Sequence, residues 1–104
     1  MRSVIIAAFA LAACASAPRE PFSVDALVAD APAYVAARYQ GDELPAALIG
    51  DLEAAEFRCE HSATLSECGR SRHAYASCWT VETVRIEAER VRADRNTRCM
   101  GVTR

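Results

Sequence analysis

The chain has no lysine: all twelve of its basic side chains are arginine. With twenty-two alanines in 104 residues, this marks the coding bias of a GC-rich genome, so an arginine here carries no functional weight by its identity alone. No apolar run approaches the roughly 20 residues of a membrane-spanning helix; the run at residues 4–13 is ten long. No C-x-x-C pair occurs, which argues against a thioredoxin-like redox centre. The spacings among Cys59, His61, Cys68, His73 and Cys78 also lack the paired cysteines of structural zinc sites. No serine or aspartate is arranged with His61 or His73 for nucleophilic catalysis, and nothing singles out two of the fourteen acids as a catalytic pair. The chain therefore reads as a non-enzyme, without metal or cofactor.

A chain of 104 residues has room for one domain. At its start, Arg2 precedes the apolar run, and the run closes on small residues. A positive start, a short hydrophobic middle and a small-residue cut site are the anatomy of a secretory signal. At the end of the run stands Leu11-Ala12-Ala13-Cys14, which at every position resembles the lipobox of bacterial lipoproteins. The resemblance covers about the first fourteen residues. It implies a diacylglyceryl group on the Cys14 sulfur, cleavage before that cysteine, and acylation of the new amine. Each buried methylene contributes about 0.8 kcal/mol, so two or more chains anchor stably where one does not. Ala15, where inner-membrane lipoproteins carry aspartate, implies sorting toward the outer membrane. Residues 15–22, with Pro18 and Pro21, read as a linker reaching roughly 25–30 Å at about 3.3–3.6 Å per residue. The expected organisation is a signal peptide over 1–13, a lipidated cysteine and tether over 14–22, and one domain over 23–104.

Four cysteines remain: Cys59, Cys68, Cys78 and Cys99. An even number in a small exported domain reads as two disulfides, with three formal pairings. The strand pattern chooses among them. Residues 78–87 are rich in β-branched and aromatic side chains, and a second run, 90–95, follows at once. With Ala88-Glu89 as a two-residue turn, Ile86 faces Val91, Val84 faces Ala93, Glu82 faces Arg95, and Cys78 faces Cys99. One register thus aligns two apolar pairs, an ion pair and two cysteines. Upstream, Phe57, Cys59, His61 and Ala63 alternate with Arg58, Glu60 and Ser62 as a half-buried strand does. A turn near Ala63-Thr64 then sets Cys59 opposite Cys68. The expected bridges are Cys59–Cys68 and Cys78–Cys99.

The first half reads as helical. Ser23 is an N-cap for residues 24–29. Pro32 breaks or restarts the helix, with Asp30 as a second cap, and Gly41 is a natural stop. A further helix runs from Pro45 to about Glu56, its apolar stripe formed by Leu44, Leu48, Leu52 and Ala55. Gly50 weakens this helix and offers a place for close packing. The predicted fold class is α+β: N-terminal helices packed on a small antiparallel sheet, two layers, two disulfides.

Charge is divided between the halves. Residues 15–67 hold ten acids against three arginines, a net of −7; residues 68–104 hold four acids against eight arginines, a net of +4. In the predicted hairpin Arg85 faces Arg92, Arg90 and Arg98 share that side, and Glu87 and Asp94 offset the repulsion. Trp79 and Val81 lie on the same face. Two readings follow for this face: a solvated surface with a sheet-edge or core aromatic, or a binding surface made by Trp79, Arg85, Arg90, Arg92 and Arg98. His61 falls on the apolar side of its strand and reads as buried; His73, in the polar Arg70-Ser-Arg-His73 stretch, reads as a loop residue. The sequence thus predicts a membrane-anchored cell-envelope lipoprotein facing the periplasm, with a non-catalytic binding or assembly domain; a small periplasmic enzyme is the alternative from a different class. Its expected partners are the membrane, through Cys14, and an envelope protein or anionic envelope component such as lipid or lipopolysaccharide. Nucleic acid is not expected outside the cytoplasm.

Overall fold

The structure, a computed structural model, describes residues 20–88 and 90–101. The expected signal peptide, Cys14, most of the expected tether, Glu89 of the expected turn and the last three residues lie outside the described residues. Three helices precede a four-stranded antiparallel sheet, so the fold is α+β.

Helix α1, Val24–Ala29, starts where the Ser23 hydroxyl accepts the Ala26 N–H at 3.0 Å. Asp30 repeats the device for α2, Ala31–Arg38, accepting from the Ala33 N–H at 3.2 Å. Pro32 sits in the first turn of α2, where its missing N–H costs nothing. Helix α2 stops at Arg38 rather than Gly41, because Tyr39 is already extended; Gly41 instead opens a 3-10 turn, Gly41–Glu43. Helix α3, Ala46–Ala54, follows Pro45 and buries Leu48 and Leu52 completely, with Leu44 and Ala55 half-buried beside them. Gly50 lies on the exposed side, where an added Cβ would meet nothing within 4 Å, so it serves no close packing. Asp51 ties α3 to α2: it accepts from the Tyr39 hydroxyl and pairs with Arg38 at 3.2 Å. Burial, helped by the Asp51 carboxylate, pushes the Tyr39 hydroxyl well above its ordinary pKa.

The strands β1 (Arg58–His61), β2 (Leu65–Tyr75), β3 (Cys78–Glu87) and β4 (Arg90–Cys99) lie in sequence order. Ile86 faces Val91, Val84 faces Ala93, Glu82 faces Arg95 and Cys78 faces Cys99, the register that the sequence predicts. Cys59 faces Cys68 across β1 and β2. Both cross-strand pairs are closed as disulfides. The β2–β3 and β3–β4 turns are made without glycine. Ala76 and Ala88 take left-handed φ values of 49° and 55°, a conformation that costs an alanine about 1–2 kcal/mol.

Helices α1 and α2 lie against β4, and α3 lies against β1, so the helical layer covers one face of one half of the sheet. Leu27, Val35, Tyr39, Leu48, Leu52 and Phe57 meet Cys68, Val84, Ile86 and Val91 in a single core. Each fully buried leucine contributes about 1.5–3 kcal/mol relative to exposure. Two sequence expectations fail here. Residues 70–73 are not a loop but the middle of the eleven-residue β2. His61 is exposed at the end of β1, bonded to Ser66 at 3.0 Å, because the helical layer does not extend over it.

Candidate functional site

Cross-strand partners share a face, so the register sorts every strand residue. On the helix-side face of β3, successive rows are centred on Ile86, Val84, Glu82, Thr80 and Cys78. The first two rows are apolar: Ile86 with Ser66 and Val91, then Val84 with Cys68 and Ala93. The third row is charged, Arg70, Glu82 and Arg95 side by side on three strands. Beyond it lie Arg72, Thr80 and Thr97, then Tyr75, Cys78 and Cys99.

Glu82 is fully buried. Arg70 Nε donates to its Oε1 at 2.6 Å, and Arg95 donates to Oε2 from Nε at 2.9 Å and from Nη2 at 2.7 Å. Arg72 adds a longer contact at 3.4 Å. Burial by itself raises a glutamate pKa, but hydrogen bonds from Arg70 and Arg95 and the charges of Arg70 and Arg72 outweigh it, holding the Glu82 carboxyl below its ordinary value. The cluster also reaches the helices. Arg95 Nη2 donates to Asp25 of α1 at 2.7 Å, which lowers the Asp25 pKa. Arg70 Nη1 donates to the Ala55 carbonyl at the end of α3 at 2.7 Å, and its guanidinium lies 4.8 Å from the Phe57 ring centre. Every polar group of Glu82 is engaged within the protein, so the cluster fastens helices to sheet and offers no reactive group. Among the described residues, no three of His, Cys, Asp and Glu stand close enough to hold a metal ion.

The opposite face carries the predicted binding residues. Trp79, Val81 and Arg85 of β3 share it with Arg90, Arg92 and Arg98 of β4; Trp79 faces Arg98, and Arg85 faces Arg92. The structure thus brings all five predicted residues to one face, and Trp79 is 38% exposed there. The ion pair shown for Arg85 is with Glu67 on β2, at 3.5 Å, rather than with Glu87 or Asp94. Arg85, Arg92 and Arg98 line a shallow depression of about 380 Å³ with Glu67, Asp94 and Asn96, so its charge is mixed rather than purely positive. A second groove, about 490 Å³, runs between α2 and the edge strand β4; Val35, Tyr39, Leu44 and Val91 line it with Arg90 and Arg92.

The sequence reading did not foresee what happens at the end of the sheet away from the helices. Tyr75 is 62% exposed and Met100 66%, and with Trp79 they are the large apolar side chains left exposed among the described residues. All three adjoin the Cys78–Cys99 bridge: Tyr75 faces Cys78, Trp79 follows it, and Met100 follows Cys99. The Met100 N–H donates to the Ser77 carbonyl at 2.8 Å, fixing the chain end against the turn. His73 packs edge-on against Trp79, ring centres 5.1 Å apart, with Nε2 held 2.7 Å from the Ala76 carbonyl oxygen. Compared with known proteins, the chain matches no family model, no curated protein and no solved structure.

Proposed function

We propose that the chain is a cell-envelope lipoprotein, anchored through acyl chains on Cys14, whose α+β domain is a non-catalytic binding or assembly module facing the periplasm. The observation that carries this reading is Leu11-Ala12-Ala13-Cys14 at the close of a ten-residue apolar run. The two disulfides support it independently, since structural bridges persist in oxidising compartments outside the cytoplasm. They also engage four of the five cysteines and leave Cys14 as the odd one. The binding part of the reading rests on the shared face of Trp79, Arg85, Arg90, Arg92 and Arg98. An anionic envelope component is the second reading for that face, favoured by the division of charge between the two halves of the chain.

Intact-mass analysis of the protein from its native membrane tests the anchor. The expected result is a chain that begins at Cys14 and carries two or three acyl groups, with Cys14→Ser leaving the membrane fraction. A soluble mature protein with an unmodified Cys14 overturns the proposal.

A further inference from the structure

We infer that the helix-free end of the sheet is a tip that docks on an anionic lipid surface. This deepens the binding reading above by naming the partner as the membrane itself. Four observations converge on one place. The exposed large apolar side chains of the described residues, Tyr75, Trp79 and Met100, all gather there. They are not confined to one face: Tyr75 takes the helix-side face with Cys78, and Trp79 takes the other with Arg98. An apolar end exposed on both faces offers no flat patch or groove to a protein partner, but it suits a medium that closes around it. Tryptophan and tyrosine, each with an apolar body and a polar tip, favour the membrane interface.

The second observation is the depth at which charge begins. Arg98 stands in the row of Trp79, Arg72 one row further back, and Arg70 with Arg95 two rows behind that. At about 3.3 Å per row, Arg72 lies roughly 7 Å behind the Cys78 row, which places its guanidinium at headgroup depth when the tip enters about 5–10 Å. Third, the tip itself carries no acid, and with Arg70 and Arg95 paired to Glu82 behind it, Arg72 and Arg98 are the charges nearest it. Residues 68–81 and 95–101, which build this end, contain no aspartate or glutamate, while Glu82 behind them is buried and fully engaged. Arg72 retains 55% side-chain exposure despite its contact with Glu82. Finally, the tip is rigid before it meets anything, since the Cys78–Cys99 bridge, the His73–Trp79 contact and the Met100–Ser77 hydrogen bond hold it. Docking therefore costs little conformational entropy.

Trp79 is the single tryptophan of the chain, so its emission reports the tip and nothing else. The full-length native protein is reconstituted into phosphatidylcholine vesicles with or without phosphatidylglycerol. The expected result is a blue-shifted Trp79 emission, quenched by bromolipids and shielded from acrylamide, on the anionic vesicles, and weakened by salt. Arg72→Gln with Arg98→Gln should lower the docked-to-free ratio about 30-fold, at roughly fivefold per arginine near an anionic surface. Tyr75→Ser with Met100→Ser should reduce the shift as well, and both sites are exposed, so the fold survives. Arg58→Gln, an exposed arginine of β1 well behind the tip and outside the named binding residues, should leave it intact. A Trp79 that stays in water on anionic vesicles overturns the inference and leaves the tip to a protein socket. Flotation reads the anchor separately. Protein that arrives unacylated is mixed with the same vesicles, and Trp79 decides the tip on its own.

Discussion

In the rows of Ile86 and Val84 the sheet carries helices on one face, whereas in the rows of Thr80 and Cys78 the same strands carry none. The covered half is held by burial, with Leu27, Leu48 and Leu52 at zero exposure against Cys68 and Val84. The bare half has no core of its own. It relies on strand pairing, on one bridge at its end, and on the Glu82 row that fastens it where cover stops. Strands can therefore run well beyond a hydrophobic core if their far end is closed covalently and their near end is pinned by charge. The apolar residues in the bare half are then free for contact outside the molecule.

The sharpest way to break this comparison is to weaken the cover. Leu52→Ala should cost about 3–4 kcal/mol, because a fully buried leucine leaves a cavity as well as lost transfer energy. Urea unfolding measures it, and a loss under 1 kcal/mol means that the helical layer is not what supports the sheet. Next comes the bridge. Removing Cys78–Cys99 (sequence separation 21) by Cys78→Ala with Cys99→Ala should cost about 3.4 kcal/mol on chain entropy, against about 2.7 for Cys59–Cys68 (separation 9). The more telling readout is local. Hydrogen exchange should quicken at residues 71–81 and 95–99 while Val84 and Ile86 stay protected; uniform loosening would show that the two halves are one cooperative unit.

The last effect concerns the row between them. Glu82→Gln should cost about 3 kcal/mol at pH 7, at the lower edge for a broken buried pair, because its arginines keep some contact with water. Its pH dependence follows from sign. The folded-state pKa of Glu82 is depressed below 4.5, so the stabilisation is complete above that value and is lost as pH falls through the lower, folded one. Asp25, lowered from 3.8 by Arg95, acts in the same direction. The gap in stability between wild type and Glu82→Gln should accordingly close on acidification. A gap that stays constant from pH 7 to pH 3 would assign the loss to packing instead.

The same division explains what could be read from the sequence. The 78–99 hairpin was legible because two apolar pairs, an ion pair and two cysteines agree on one register. The far half of β2 was not, because Arg70, Ser71, Arg72 and His73 alternate in no way that marks a buried face, and only Arg70 has one. His61 misled for the complementary reason: its position continues the alternation of Phe57 and Cys59, but the helices that bury Phe57 do not reach it. The Glu82–Arg95 pair is written in the hairpin register, yet the arrival of Arg70 and Arg72 depends on the β2–β3 pairing, and that of Asp25 on a contact 70 residues away in sequence. The tip shares this origin. Tyr75 and Met100 belong to no hydrophobic pattern, and only the folded chain brings them beside Trp79.

The order of the bridges along the chain has its own bearing on assembly. The cysteines of the described residues are joined in consecutive pairs, Cys59 to Cys68 and then Cys78 to Cys99, with no crossing. A polypeptide delivered N-terminus first into an oxidising compartment presents its thiols in that same order. Pairing each new thiol with the last unpaired one then yields the native connectivity directly, with no wrong bond to reshuffle, provided the Cys14 sulfur is already alkylated and withdrawn from exchange.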